Sequence, residues 1–340
     1  MQRTSINSFK YMRIIACFGI VVLHTLFSST VYFNNLTENN YMLIDIFQNL
    51  LMWAVPFFLM ITGALLLNPE KELGKERLIK YLLRVGIALI VFTLIYQLLD
   101  SIYEPGSFDF VEVLKQWGYK LLTGRSWAPT WYLYLMIGLY LMIPFYKMIT
   151  KHASMKWIAA LIVVLIVFVS IIPLIKIKGE PLGFYIPTSI IYPCYLFLGY
   201  YIFNNKIPKW IYAILFVVGT AVIIFTTFTK FMELSNFKDD LSIGYENIFV
   251  IMQAVGLFGL LKDIKLKVGK VAEYFDKATF GIYLIHIILI KMILKWLGFN
   301  PYEVSANWWI IIVLGIDLAI FVLSFGVTTF IRIISKDKLL

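Results

Sequence analysis

Charged residues are scarce in this sequence of 340 residues. Asp, Glu, Lys and Arg make up 15% of it, 61% is hydrophobic, and the mean hydropathy is +0.83. Soluble globular chains carry about 25% charged and about 45–50% apolar residues. A core of this size could not bury the excess apolar surface, so the composition excludes an ordinary soluble domain and predicts contact with lipid. The net charge of +10 is spread between apolar runs, and because charge alone does not indicate nucleic acid, none is expected as a partner.

Cysteine is scarce as well. Cys17 and Cys194 both lie inside apolar runs, which leaves no disulfide framework and no metal-ligand spacing. The sequence has no His, Asp and Glu cluster of metal-site spacing, no glycine-rich phosphate loop and no nucleophile elbow, so no metal is expected. It also has no internal repeat, no long linker and no added soluble domain. We therefore expect residues 1–340 to form a single membrane domain.

Ten apolar runs approach the length of about 20 residues that an α-helix needs to cross a bilayer. They lie near residues 11–33, 42–67, 84–101, 130–149, 157–175, 187–203, 210–229, 244–261, 279–298 and 308–333. The sequence thus predicts an all-α, polytopic membrane bundle of about ten transmembrane helices, with both termini on one side. Most of the 30 Lys and Arg residues fall in the loops on that side, which identifies it as the cytoplasm.

One loop between these runs has the periodicity of a helix. In residues 108–122, apolar side chains recur at spacings of three or four between charged and polar ones. This pattern predicts a helix lying in the membrane interface, either as an anchor or as a gate.

Two ionisable residues stand out in the first run, because a charged group at the middle of a membrane helix costs about 2.5–3.5 kcal/mol. Around the axis of an α-helix, the rotation from Arg13 to His24 is about 20° more than three full turns. Both side chains therefore project from one face, about 16 Å apart along the axis. Arg13, at the cytoplasmic mouth, suits a phosphate-bearing ligand. The His24 imidazole, near mid-depth, suits proton transfer from a hydroxyl or thiol. Alternatively, Arg13 is a positive-inside anchor and His24 bonds a neighbouring helix.

Other polar residues lie within later runs. His286, in the run 279–298, is either a second polar wall of the same cavity or a histidine packed at a helix contact. Asp317, in the last run, either orients an imidazole or an arginine, or is protonated and hydrogen-bonded. Trp131 opens the run 130–149 at an interface, where an aromatic belt accounts for it.

A proline-to-glycine stretch, residues 56–63, is expected to loosen its helix and let another backbone come close. This stretch is one of several motifs that follow one another along the chain. They are Arg13 and His24 with ten residues between them, VPFF at 55–58 followed by Thr62-Gly63, WYL at 131–133 followed by Tyr140 and Pro144, FLGY at 197–200 and GIYLIH at 281–286. With this ordered set the chain resembles the membrane acyltransferase type 3 family over essentially its whole length. The resemblance is nearest to stand-alone members that O-acetylate cell-surface glycans.

The resemblance implies that an acyl-CoA, most simply acetyl-CoA, enters from the cytoplasm as co-substrate and that His24 is the catalytic histidine. Arg13 matches the family's arginine in the first span. The family often has Arg-x-x-Arg before the third span, but this sequence has Arg77, Lys80 and Arg84 without that spacing. Arg84 is therefore the better candidate for contact with a CoA phosphate, and Lys80 is a second candidate.

Two further departures from the family concern the second span and the C-terminal side. The family's Ser-Gly is Thr62-Gly63 here, and the change keeps a hydroxyl. No soluble esterase domain follows the last span, as one does in some relatives. If the acceptor requires such a domain, a separate extracytoplasmic partner has to supply it, and a homo-oligomer is left open.

The expected reaction is transfer of an acyl group, acetyl or alternatively succinyl, to a hydroxyl of a cell-surface or lipid-linked glycan at a bacterial plasma membrane. His24 acts as base or acyl carrier, and Thr62, Tyr283 or a loosened backbone donates to the oxyanion. Trp131, His286 and Asp317 are assigned to substrate contact or support. The alternatives are a transporter or flippase for a lipid-linked sugar or amino acid, and a sensor or scaffold without turnover. Transporters often have internal repeats, and none is found.

Overall fold

The computed structural model describes residues 2–71, 73–104, 108–177, 179–182, 186–304 and 308–335, most of which are helical. The α-helices are α1 (Gln2–Tyr32), α2 (Glu38–Leu50), α3 (Ala54–Leu66), α4 (Lys75–Tyr103), α5 (Phe110–Thr123), α6 (Thr130–His152), α7 (Met155–Ile166), α8 (Ile191–Asn204), α9 (Lys209–Met232), α10 (Ile248–Leu261), α11 (Lys270–Lys291), α12 (Pro301–Val304) and α13 (Trp309–Ser335). Short π-helical segments, Val167–Ile171 and Met292–Trp296, extend α7 and α11. The strands β1 (Lys176–Ile177) and β2 (Glu180–Pro181) form an antiparallel pair.

Within the described residues, eight helical stretches are long and apolar enough to cross a membrane. They are Asn7–Tyr32, Glu38–Leu66, Lys75–Tyr103, Thr130–His152, Met155–Leu174, Lys209–Met232, Lys270–Trp296 and Trp309–Ser335, and they coincide with eight of the predicted spans. The other two predicted spans contain α8 and α10, each of 14 residues. Such helices are about 21 Å long, less than a hydrocarbon core of about 30 Å. The all-α polytopic bundle is confirmed, with two apolar runs folded as short, largely buried helices.

The predicted span 42–67 is broken into α2 and α3 by a turn at residues 51–53. Pro56 accounts for the break, because proline has no N–H to donate to the carbonyl of residue 52 and its ring crowds that carbonyl. In the first turn of α3 the proline is tolerated, since N–H groups there have no helical partner.

Helices α3 and α8 cross in backbone contact through two glycines. A Cβ atom at Gly63 would lie 1.9 Å from the carbonyl oxygen of Leu196, and one at Gly199 would lie 1.9 Å from the carbonyl oxygen of Met60. No residue with a Cβ fits either position unless the helices move apart. The prediction that another backbone comes close to the stretch 56–63 is confirmed.

Helix α13 runs antiparallel to α1. Phe18 of α1 makes an edge contact with Phe321 at 5.5 Å, and Thr25, two turns further along α1, contacts Asp317, which comes earlier in α13. α1 therefore begins and α13 ends at the same end of the bundle, as an even number of spans requires. We call this the inner end, after the predicted orientation, and the opposite end the outer end.

The helix predicted in the loop 108–122 is α5. Asp109 caps its first turn, and Gly124, with φ of 70°, ends it in the left-handed conformation that glycine adopts without strain. Trp117 Nε1 donates a hydrogen bond of 3.0 Å to Thr93 Oγ1, which holds α5 against α4.

Candidate active site

Helices α1 and α11 bring two histidines into direct contact. His24 Nδ1 lies 2.7 Å from His286 Nε2, and the two ring planes differ by 9°. His286 is completely buried, and its Nδ1 lies 3.1 Å from the carbonyl oxygen of Ile282, one turn earlier on α11. Of the two interpretations of His286, the structure agrees with a histidine at a helix contact, and its partner there is His24.

The hydrogen bonds assign the protons on both rings. The Ile282 carbonyl can only accept, so His286 Nδ1 carries a proton and Nε2 of the neutral ring is an acceptor. His24 Nδ1 must then donate, which leaves His24 Nε2 without a proton. That nitrogen has no hydrogen-bond partner in the described part of the chain. The pair thus presents one imidazole nitrogen as a base, with its tautomer and orientation fixed.

A cavity of about 210 Å³ lies on the inner side of the histidines, between α1, α3, α4, α6 and α11. We call it the inner cavity. Arg13 and Arg84 line it, and none of the other described residues in its lining carries a carboxylate. The rest of its wall combines aliphatic side chains with the hydroxyl-bearing residues Thr62, Tyr81, Tyr132, Tyr140, Thr279 and Tyr283. Two guanidinium groups beside an amphipathic wall suit an anion with a long, largely apolar arm.

Arg13 is held at this cavity by a carboxylate of α11. Its Nε donates to Asp276 Oδ1 at 2.6 Å and its Nη2 donates to Asp276 Oδ2 at 2.9 Å. A guanidinium has five N–H donors, so three remain for a ligand. Arg13 and His24 both contact α11, as expected for two residues on one face of α1.

A second cavity, of about 150 Å³, lies on the outer side of the pair. We call it the outer cavity. His24 and Ser28 of α1 form one wall, Ile287 and Lys291 of α11 form another, and Trp127 also lines it. Of the two histidines, His24 lines this cavity and His286 does not. The ring that carries the unprotonated nitrogen therefore borders the outer cavity.

A cluster of ion pairs fixes the charged wall of the outer cavity. The buried Lys291 Nζ bonds Asp100, lies 3.2 Å from Glu104 Oε1 and lies 4.2 Å from the centre of the Trp127 ring. Trp127 Nε1 in turn donates to Asp100 Oδ2 at 2.9 Å. Lys295, whose Nζ lies 2.6 Å from Glu104 Oε1, and then Lys291 hold the pKa of Glu104 below its ordinary value, so Glu104 is a carboxylate at neutral pH.

The hydroxyls considered as oxyanion donors are both engaged elsewhere. Thr62 and Tyr283 line the inner cavity, but Thr62 Oγ1 donates to the Phe58 carbonyl at 2.7 Å and Tyr283 donates to the Pro129 carbonyl at 2.7 Å. A hydroxyl has a single proton to donate. Either residue would have to leave its present partner before it could bind an oxyanion.

Of the three remaining candidates, Arg84 lines the inner cavity, whereas Lys80 and Trp131 do not. Arg84 lines the inner cavity, and its Cζ lies 5.0 Å from the centre of the Phe280 ring. Lys80, one turn earlier on α4, is exposed and is not part of the lining. Trp131 packs at 5.7 Å against Tyr245, outside both cavities.

Asp317 is completely buried and accepts a hydrogen bond of 2.5 Å from Thr25 Oγ1. Its partner among the described residues is thus a hydroxyl, and the hydrogen-bonded interpretation fits better than contact with an imidazole or an arginine. Thr25 follows His24 directly, so this bond fixes α1 at the depth of the histidine pair.

Sequence reasoning missed several residues that build the site. Asp276 was not singled out, because a carboxylate near a helix end is ordinary, and nothing local connects it to Arg13. Lys291 lies within the predicted span 279–298, where the cost of burying a charge marks it as a candidate. It was not singled out from the sequence. Trp127 lies in the loop before α6, and its place beside Lys291 depends on how α4 and α11 pack.

Comparison with known proteins identifies the family of the chain. A family model described as an acyltransferase domain, that of the type 3 acyltransferases, matches residues 6–329. The chain therefore belongs to the membrane acyltransferase type 3 family. Its apolar helices make it a multi-pass membrane protein of that family. Neither a curated protein nor a solved structure matches the chain significantly.

Proposed function

We propose that the protein is an O-acyltransferase, which moves an acyl group, most simply acetyl, from cytoplasmic acyl-CoA to a hydroxyl of a cell-surface or lipid-linked glycan. The observation that carries this proposal is the position of His24. Its ring lies between a cationic cavity on the inner side and a separate cavity on the outer side, and it offers an unprotonated nitrogen. A donor and an acceptor that arrive from opposite sides would meet at this base.

The lining of the inner cavity supports its assignment to the donor. Arg13 and Arg84 supply charge for the phosphates of CoA at the inner end, since guanidinium groups bind phosphate oxygens in pairs of hydrogen bonds. The pantetheine arm would follow the wall towards Ile20, which lines the cavity one helical turn before His24. That turn is about 6 Å long, so the thioester has a short distance to cover beyond the cavity.

The proposed chemistry uses His24 as a general base. Its Nε2 takes the proton of the acceptor hydroxyl as the oxygen attacks the thioester carbonyl carbon. The tetrahedral intermediate then expels the thiolate, which takes the proton back from His24 and leaves as CoA-SH. One C–O bond forms and one C–S bond breaks, and the imidazole returns to its neutral form. Alternatively, Nε2 carries the acyl group itself before transfer.

The proposal is tested with radiolabelled acetyl-CoA. Purified protein should bind it, and membranes that contain the protein and its natural acceptor should gain an acetyl ester with release of CoA. Succinyl-CoA in a parallel sample identifies the acyl group. A transporter or flippase would move its substrate without consuming acetyl-CoA, and a sensor would bind it without turnover. Either result would replace the proposal.

Asp276→Asn is expected to raise the apparent KM for acetyl-CoA. An asparagine has one acceptor oxygen, so Arg13 loses one of two charge-assisted hydrogen bonds that orient it, and the loss corresponds to about tenfold or more. The kcat should change little, because Asp276 is remote from His24. Glu273→Gln is the matched control, since Glu273 is an acid of the same helix that pairs with Lys10 and Lys277 instead. An unchanged KM in Asp276→Asn would show that Arg13 does not need this partner.

His286→Leu is expected to lower kcat by about 10–100-fold, by analogy with the loss of residues that orient metal-binding histidines. Without an acceptor at this position His24 Nδ1 loses its partner, and the ring can adopt the other tautomer. His286→Gln should retain more activity, because the glutamine oxygen can accept from His24 and its amide can donate to Ile282. The kcat and the KM for acetyl-CoA are measured separately. Equal activity of the two variants would contradict the assigned proton arrangement.

A further inference from the structure

The outer cavity extends from His24 towards the outer end of the bundle, between α1 and α11. On α1, His24, Ser28 and Val31 follow one another at helical spacing and all line the cavity, so the cavity follows one face of α1 for about 10 Å towards the outer end. Ile287 and Lys291 line the opposite wall, one turn apart on α11. A ligand in this space would have one end at the base and the other end near Lys291.

Lys291 is held too firmly to act as a mobile surface charge. Its Nζ contacts two carboxylates and lies over one face of Trp127, while Tyr96 stacks on that indole with a centre-to-centre distance of 4.5 Å and nearly parallel rings. The Lys291 side chain is about 90% buried. An ammonium has three N–H donors, and two carboxylates account for two of them. The described residues give Lys291 Nζ no third acceptor atom, so a ligand oxygen in the cavity that Lys291 lines would supply one.

The α1 edge of the outer cavity is apolar and open. Phe27 and Val31 line the cavity, and they are 40% and 58% exposed. Both belong to a helix long and apolar enough to span a membrane, so exposed apolar side chains there face lipid. The cavity thus borders the hydrocarbon of the membrane on this side, whereas His24 lies at its inner end and Lys291 on its opposite wall.

We infer that the outer cavity is the acceptor site, and that Lys291 binds an acceptor oxygen next to the hydroxyl that reacts at His24. The acceptor is an amphiphile, a hydroxylated headgroup on a hydrocarbon chain, which enters sideways from the lipid past Phe27 and Val31. This inference rests on the proposed acyl transfer and, of the cell-surface and lipid-linked glycans proposed there, selects an acceptor that is anchored in the membrane. Lys291 contacts substrate in this scheme and takes no part in the proton transfer.

The test uses the full-length protein in proteoliposomes with radiolabelled acetyl-CoA. The acceptor is supplied as a titrated total lipid extract from membranes of cells that naturally contain the protein, and the label is followed into the organic phase. Lys291→Met should raise the apparent KM for the extract by about tenfold or more, the effect of losing a hydrogen bond from a charged group, with acetyl-CoA affinity unchanged. Lys295→Met is the matched control. Lys295 belongs to the same ion cluster but does not line the cavity, so its KM should stay near the wild-type value.

Ala128→Phe provides an independent variant. Ala128 lines the outer cavity and is exposed, so phenylalanine should fill the cavity without touching the ion pairs. It decides the question if Lys291→Met does not fold, and it too should raise the KM for the extract. Three results would overturn the inference. The first is a folded Lys291→Met protein with a lower maximal rate but an unchanged KM for the extract, and the second is an unchanged KM for the extract in Ala128→Phe. The third is that the wild-type protein transfers the label to a water-soluble polymer but not to the lipid extract. If wild-type protein uses no acetyl-CoA at all, the proposed acyl transfer itself fails.

Discussion

Replacing His24 with alanine is expected to lower acyl transfer by roughly 10²–10⁴-fold, the usual contribution of a general base. The substitution removes the only imidazole that borders the outer cavity among the described residues, and it leaves Arg13 and Arg84 in place. Acetyl-CoA binding should therefore persist while turnover is lost. The rate of CoA release in membranes and the acetyl-CoA affinity of purified protein give the two readouts.

His152→Ala is the control for this substitution. His152 is exposed at the last residue of α6, remote from both cavities, so its replacement should leave transfer unchanged. If His24→Ala yields folded protein with transfer close to wild type, His24 is not the base, and the histidine pair is a structural contact. If acetyl-CoA binding is lost together with turnover, the substitution has damaged the inner cavity.

Gly63→Ala and Gly199→Ala are each expected to destabilise the protein by about 3 kcal/mol or more, at or above the upper end of the usual cost of overpacking. A Cβ at either position would lie 1.9 Å from a backbone carbonyl oxygen of the facing helix. Backbone cannot rotate away as a side chain can, so α3 and α8 must separate. A fall in the thermal unfolding midpoint in detergent, together with a lower yield of monodisperse protein, measures the effect.

Gly86→Ala tests whether any loss of stability comes from the contact rather than from the substitution itself. Gly86 lies within α4, and a Cβ there would meet nothing within 4 Å. Alanine also favours a helix over glycine by about 0.8–1.0 kcal/mol, so this variant should be as stable as wild type or more stable. A Gly63→Ala protein that unfolds at the wild-type temperature would mean that the two helices do not approach as closely as described.

The features that sequence could predict are those set by one helix at a time. The apolar runs predict the long helices, and helical periodicity places Arg13 and His24 on one face, where both contact α11. The same periodicity predicts α5. The close approach at Gly63 was also predictable, because a glycine in a membrane helix allows it.

The remaining features depend on distances between helices, which no local pattern contains. The pairing of His24 with His286 joins residues 262 positions apart, and without it the role of His286 stays ambiguous. The position of Lys291 beside Asp100 and Trp127 likewise requires α4, α11 and the loop before α6 to meet. The break between α2 and α3 is a different case. Pro56 was noted, but its consequence falls several residues earlier, at 51–53.

The two links between α1 and α11 also constrain how the protein can move. Arg13 is tied to Asp276 and His24 to His286, at two levels of the same helix pair, so sliding of one helix along the other would break both links together. In its most apolar part α11 is 67% buried, whereas α4 and α6 are each 28% buried. These two helices carry the Tyr81, Arg84, Tyr132 and Tyr140 wall of the inner cavity. Changes in the shape of that cavity are therefore expected to come from α4 and α6, while Arg13 and His24, both tied to α11, move together.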